Sequence, residues 1–374
     1  LKNKTIAILG GYGQAGIPIA RLLLQESEAH IILAGRHKEK AEKVASQLNS
    51  EISGTRVSGS FADASRGETL RSVFENADMV LVCSTTAEYV REVAQTALAV
   101  GIDYMDIQYP LKRLQELQSL APAILKAGRC FITEAGFHPG LPAAFVRYTA
   151  SYFSHLKKAF VATRMNVQNI GSVDSVSELM EELSDYQAYI FTDGQWREAG
   201  YRDTRRIDFG PDFGKHICFP FLMEEMRSLP ELFRLEETGM FVAGSNWFVD
   251  YLVFPLGMAL GRIKKGLASR PLTRLFIWGM RIFSRPPFGV VLKIEAEGEK
   301  DSRPRAVDIK ARHEDGYYFT AVPTVACLLQ YLDGSIAKPG LWMMGHMVDP
   351  IRLFKDMERM GIKIQVKITD GYGK

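Results

Sequence analysis

The chain has 374 residues, with 46 Lys and Arg against 43 Asp and Glu and a net charge of +3. Apolar residues make up 47% and charged residues 24%, ordinary globular proportions that exclude a disordered or fibrous chain. The near-balanced charge disfavours a general nucleic-acid binder, and the length predicts two or three domains that need no disulfide or metal staple.

The four cysteines, Cys83, Cys130, Cys218 and Cys327, are scattered without a C-x-x-C pair. That spacing argues against a disulfide framework or a structural zinc site, so no metal is expected. No charged, apolar and cleavage-site pattern precedes the first apolar run, and cytoplasm is the expected compartment. A removed leader stays open because the sequence starts at Leu1. Met240 to Gly261 is rich in aliphatic and aromatic residues but is broken by Asn246, Asp250 and Pro255. A spanning helix wants about 20 nearly uninterrupted apolar residues, so none is expected here.

Thr5 to Leu9 reads as a buried strand that runs straight into glycines. Ala15 to Gln25 follows as a helix, with Ile17, Ala20, Leu23 and Leu24 at helical spacing. Ile31 to Ala34 is a second strand, and Lys38 to Leu48 a helix with Ala41, Val44, Ala45 and Leu48 on one stripe. Val57 to Phe61, Met79 to Cys83, Asp103 to Ile107 and Arg129 to Thr133 read as four more strands. Helices are expected around Leu70 to Phe74, Tyr89 to Val100 (ended by Gly101) and Leu111 to Lys126. Strands apolar on both faces alternate with helices of about ten residues, the pattern of a doubly wound parallel sheet.

After residues 136–140 the alternation stops. Lys158 to Val167 and Gly289 to Ala296 resemble antiparallel strands, with helices near Ser177 to Ala188 and Pro323 to Leu332. Pro350 to Met360 reads as a helix and Ile362 to Ile368 as a last strand. The expected architecture is α/β: a Rossmann-type domain over residues 1–138, an α+β domain over 139–339, and a tail over 340–374 returning to the first sheet.

Gly11, Tyr12, Gly13, Gln14, Ala15 and Gly16 spell G-x-G-x-x-G between a predicted strand and a predicted helix. There the first glycine permits a tight turn, the second a close approach to a diphosphate, and the third close packing of helix on strand. Amides at the helix start face the phosphates. The second strand ends in Ala34-Gly35-Arg36-His37-Lys38, with no carboxylate to hold a ribose 2′-hydroxyl. Arg36 offers a planar fork to a 2′-phosphate and Lys38 adds charge, so NADP is the expected cofactor. Asp63 is either an acceptor for the adenine amino group or a helix cap. Ser84 and Thr85 end the fourth strand where the dinucleotide must pass.

Four stretches, Gly10 to Gly16, Ala34 to Arg36, Asp106 to Pro110 and Glu134 to Pro142 (EAGFHPGLP), resemble the saccharopine dehydrogenase family. The likeness spans most of the chain and is strongest over residues 1–142. It implies an NADP-dependent oxidoreductase acting on a C–N bond, interconverting imine and amine on amino-acid-like substrates. It also implies a homodimer formed through the second domain.

Imine reduction is faster through the protonated iminium, so a donor with a pKa near 7 is useful. His138, in the loop that the resemblance places at the domain junction, is the candidate, or else a hydrogen-bond brace. Glu134 and Asp106, at strand ends, are alternative acid–base groups, and Tyr109 is placed to line the pocket. Substrate carboxylates call for arginine: Arg205 and Arg206, clustered with Arg202, are candidates, unless that loop is merely solvated.

Arg262 to Arg285 holds seven Lys and Arg residues, no acid, and interleaved aromatic and aliphatic side chains. Such a stretch suits peripheral contact with an anionic membrane surface, a subunit interface, an acyl pocket, or a core helix with a solvated basic edge. Beside the imine reductase stand two alternatives: a lipid- or acyl-directed NADPH reductase at a membrane surface, and a non-catalytic NADP-binding regulatory protein.

Overall fold

A computed structural model describes residues 3–371 except 53, 110, 168–172, 174, 175, 178, 179, 181–187, 201, 222 and 264–268. The chain divides into two units, one of residues 1–144 with 320–360 and the other of 145–319 with 361–374.

The first unit is built on strands β1 (Thr5–Leu9), β2 (His30–Gly35), β3 (Val57–Phe61), β4 (Met79–Val82), β5 (Asp103–Asp106) and β6 (Cys130–Thr133). Helices α1 (Gly16–Glu26), α2 (Lys38–Glu51), α3 (Gly67–Phe74), α4 (Val90–Val100) and α5 (Leu111–Lys126) connect them. A seventh strand, Gly340–Met343, pairs in parallel with β6. From this added edge strand the order runs through β6, β5, β4, β1 and β2 to β3, so the direction of build-up reverses beside β1, where such sheets bind ligands.

The strands form because their apolar residues are covered on both faces. Ile6, Ala7, Ile8, Val80 and Leu81 are fully buried, and one side of the sheet packs Phe74, Val93, Ala97, Leu117, Ile124 and Phe131 into a single cluster. Gly101, at φ 82°, ends α4 by donating its N–H to the Ala97 and Leu98 carbonyls, a backbone state open to glycine at little cost. Asp349 caps the helix Pro350–Arg359 by accepting from the Ile351 and Arg352 amides.

The second unit is a mixed sheet. Its strands are β7 (His155–Asn166), β8 (Tyr189–Thr192), β9 (Gln195–Glu198), β10 (Arg205–Asp208), β11 (Lys215–Phe221), β12 (Glu237–Ala243), β13 (Gly289–Lys300), β14 (Arg303–His313) and a last strand, Lys363–Asp370. The order is β10, β11, β12, β7, β13, β14 and then the last strand, with β8 and β9 on a branch from β12.

Several expectations change. The strand expected over Lys158 to Val167 is antiparallel to β13 but parallel to β12. The helix expected from Pro323 starts earlier, as Gly316–Leu332 with Pro323 inside it, and it carries the chain into the first unit by residue 320. The tail splits: residues through 360 stay in the first unit, whereas the last strand pairs with β14. The boundaries therefore depart from 1–138 and 139–339, because each terminal strand goes to the sheet whose edge it can pair with. The helix expected over Ser177 to Ala188 falls mostly outside the described residues. Among the described residues no helix is long and apolar enough to cross a membrane, and no cluster of three metal-ligating side chains occurs.

Candidate functional site

The carboxyl ends of the parallel strands share one edge, and the candidate site lies along it. β1 ends in a turn in which Gly10 adopts φ 79° and donates to the Ala34 carbonyl at 2.8 Å, while Gly13 donates to the Gly10 carbonyl at 2.9 Å. A Cβ at Gly10 would lie 2.9 Å from the Ser84 Cβ, and one at Gly11 would lie 2.7 Å from the Leu33 side chain. At Gly16 an added Cβ would collide with the Gly10 carbonyl, so α1 starts directly against the turn. Gly13 differs: its Cβ would meet only the Gly10 oxygen, at 3.0 Å. The backbone there is open toward the helix start, the cradle a diphosphate needs. Gln14 is exposed and Ala15 precedes the first turn of α1. These residues fit a dinucleotide.

Tyr12 ties this loop to the end of β2. Its phenol accepts a hydrogen bond from the His37 amide at 3.1 Å, and its ring covers Gly35, where a Cβ would come within 2.5 Å of the phenol oxygen. Arg36 and Lys38 stand exposed beside this contact, with Lys38 3.6 Å from Glu42. Asp63 does not cap α3, whose N-cap position is Arg66; its Oδ1 accepts from the Ser65 amide and hydroxyl at 3.0 and 2.7 Å. Those bonds, chiefly from Ser65, hold its carboxyl below the usual range, with smaller help from Arg36 and Arg66. Asp63 thus stabilises the turn before α3, with further bonds from its backbone to Thr69 and Arg66.

At the end of β4 the Ser84 hydroxyl pairs with Thr86 at 2.8 Å, and Gln108 Nε2 donates to the Ser84 carbonyl at 2.8 Å. Thr85 is exposed. Thr86 joins the network with Ser84. Gln108 lies within the stretch Asp106 to Pro110 that carries the resemblance but had no expected role, and Thr86 was not among the expected residues.

Next along the edge is a sealed ionic brace. Asp106 accepts from Arg113 Nη1 at 3.1 Å on each oxygen, from the Thr133 hydroxyl at 3.1 and 3.0 Å and from the amides of Gln108 and Glu134 at 3.1 and 3.3 Å. Arg113 also donates to Thr133 and places Nη2 3.6 Å from Glu134. Asp106, Arg113 and Thr133 are buried and Glu134 is 4% exposed. Asp106, expected as an acid–base candidate, is instead buried, with both carboxylate oxygens held by Arg113 and Thr133. Glu134 is likewise held by its ion pair, in a left-handed conformation at φ 58°. Arg113 and Thr133 were missed. The signal for Arg113 was its place on the buried stripe of α5 with Leu117, Leu120 and Ile124.

The brace holds the loop 134–140. The Ala135 amide donates to the Asp106 carbonyl at 2.8 Å and the Gly136 amide to the Pro139 carbonyl at 3.2 Å, and the Thr324 hydroxyl donates to the Ala135 carbonyl at 2.6 Å. His138 sits in this loop, and burial pushes its imidazole down to about 4. It is neutral at physiological pH, so the expected donor with a value near 7 is not what the loop builds. Tyr109 is half-buried just past β5.

Arg205 and Arg206 belong to the second unit. They lie on β10, where successive side chains point to opposite faces, so they do not form the expected cluster. Arg205 stacks its guanidinium 3.5 Å from the centroid of Phe160, while Arg206 and Arg202 are exposed.

Residues 6–132 match the family described as saccharopine dehydrogenase NADP binding domain. The carboxynorspermidine synthase of Vibrio cholerae is 22% identical over 394 residues, covering 94% of this chain and 94% of that protein. The carboxynorspermidine synthase of Vibrio alginolyticus is 21% identical over 401 residues, covering 96% and 95%. The apo saccharopine dehydrogenase (L-Glu forming) of Saccharomyces cerevisiae shares the fold, with a TM-score of 0.70 at 15% identity over 98% of this chain and 100% of that one. Residues 6–132 thus carry an NADP-binding domain of the saccharopine dehydrogenase type, whose glycine turn fits a diphosphate, and the chain is an NADP-dependent oxidoreductase.

Proposed function

We propose that the chain reduces a C=N bond, formed between an amine and a carbonyl compound, on a substrate that carries a carboxylate. The observation that carries this reading is the buried Asp106–Arg113–Glu134 brace, which fixes the His138 loop on the strand edge that also bears the glycine turn. The likeness to two enzymes named for making a carboxylated polyamine supports the substrate class. The dinucleotide, when bound, supplies the hydride.

The chain's own groups then have distinct tasks. Gly10 to Gly16 hold the diphosphate, and Arg36, steadied through Tyr12, reads the 2′-phosphate. Ser84, Thr86 and Gln108 form a hydrogen-bonded rim at the ends of β4 and β5. A neutral imidazole carries both a donor and an acceptor nitrogen, so His138 accepts the N–H of a protonated substrate nitrogen and orients it. Glu134 and Asp106 position that loop and do not exchange the proton. Arg205 and Arg206 are proposed as carboxylate-binding groups of the second unit. Stacking on Phe160 occupies the face of the Arg205 guanidinium and leaves its N–H fork chemistry intact. Tyr109 is proposed to line the pocket.

The test is NADPH consumption with a panel of amines, each paired with an aldehyde or 2-oxo acid. Consumption that requires both partners, and that favours carboxylate-bearing pairs, is the expected result. Tight NADPH binding with no consumption across the panel overturns the reading.

A further inference from the structure

We propose that the helical elements Val249–Val253, Phe254–Ile263 and Ser269–Phe283, with Trp247 beside them, dock on an anionic lipid surface. This inference is independent of the reaction proposed above. The region comprises a π-helical turn at Val249–Val253 and the helices Phe254–Ile263 and Ser269–Phe283. Its inner side is already satisfied: Val249, Val253, Leu272, Phe276 and Met280 pack into one buried cluster. The outer side still carries large apolar groups. Tyr251 is 74% and Ile263 75% exposed, and Trp247, Leu252, Leu256, Trp278 and Ile282 are about half exposed. Isolated exposed hydrophobes are ordinary, but a concentration of this kind marks an interaction surface.

Charge decides the occupant. From Tyr251 to Ile294 the sequence has no Asp or Glu, while Arg270, Arg274, Arg281 and Arg285 are all exposed. Arg270, Arg274 and Trp278 share one groove with Pro271 and Leu275, and helical spacing carries this row on to Arg281 and Ile282 within Ser269–Phe283. A second copy of the chain would need the patch to complement itself across a twofold axis. That arrangement brings arginines against arginines with no acid in the stretch to separate them. An anionic bilayer meets both demands, with phosphates for the guanidinium groups and an acyl boundary for the aliphatic side chains. The two indoles suit that boundary, having a broad apolar body and one polar N–H. They are fixed in place by ring contacts: Trp278 lies 5.3 Å from Phe248 and 5.5 Å from Phe283, and Trp247 lies 4.9 Å from Phe283.

The test uses the full chain with NADPH, phosphatidylcholine vesicles with and without phosphatidylglycerol, and the variant R274Q/R281Q. Unchanged NADPH affinity confirms that the variant is folded. The expected result is co-sedimentation with phosphatidylglycerol vesicles at low salt, weakened by added salt. Tryptophan emission should shift to the blue on binding, and the variant should bind about tenfold or more weakly. Three results overturn the proposal: no co-sedimentation with anionic vesicles at low salt, undiminished binding of the variant, or a stable dimer that Trp278→Glu dissociates.

Discussion

The phenol oxygen of Tyr12, inside the glycine turn, accepts a hydrogen bond from the amide of His37 at 3.1 Å. One side chain thereby joins the glycine turn to the loop that follows β2. The Tyr12 ring also rests where a Cβ on Gly35 would lie, so the loop bearing Arg36 is held by packing as well as by the hydrogen bond.

Tyr12→Phe keeps the ring and removes the bond. A neutral hydrogen bond is worth about 0.5–1.5 kcal/mol, so NADPH affinity should fall roughly threefold to tenfold with little change for NADH. Arg36→Gln removes a charged contact worth about 1.5–3 kcal/mol and should cost NADPH about tenfold to a hundredfold, again sparing NADH. Fluorescence titration of each variant with both cofactors checks this. Equal losses for the two cofactors would show that Arg36 does not read the 2′-phosphate.

The Asp106–Arg113 pair is fully buried. Removing one member of a buried pair leaves the other charge stranded, at about 3–5 kcal/mol. Arg113→Met should therefore destabilise the first unit by about that amount in denaturant unfolding. The double variant Asp106→Leu with Arg113→Met should recover much of the loss, because no buried charge remains. Such a recovered variant should still bind NADPH but turn over slowly, since the loop 134–140 has lost its brace.

His138 supplies a pH signature. Its ordinary value is 6.5 and burial holds it at about 4. As pH falls, the unfolded chain takes up this proton before the folded one does. The stability contribution is complete above about 6.5 and is lost as pH drops through the window from 6.5 to 4. Melting temperatures measured across that window should fall less steeply for His138→Gln than for the parent chain. In the same variant turnover should drop about a hundredfold if the imidazole touches the substrate, with NADPH affinity unchanged. An activity profile that loses half its value near 6.5 would contradict a neutral imidazole.

Much of the first unit was legible. Runs such as Met79 to Val82, apolar at every position and buried at every position, have one good solution: a central strand with both faces covered. The glycine pattern was legible because each position has a local steric reason, visible as the atoms a Cβ would strike. The candidate site was less so. Asp106 reads as an acid at a strand end; the apolar stripe of α5 turns Arg113 inward, but that stripe does not say which acid it meets. That Thr86 pairs with Ser84 depends on the pitch of a single turn. The second unit was hardest, because strand periodicity tells which face a residue takes but not which strand lies alongside, or in which direction.

By itself, then, the amino-acid order determined a nucleotide-binding parallel sheet, its glycine turn, and an arginine in place of a carboxylate after β2. These are properties of residues close together in the chain, governed by backbone sterics and hydrophobic periodicity. Only the tertiary structure decided that Asp106 and Glu134 are partners of Arg113, that His138 is neutral, and that the last strand leaves the first sheet for the second. Each of those outcomes turns on desolvation and pairing between groups that meet only after folding, and no local pattern encodes what a buried charge will find beside it.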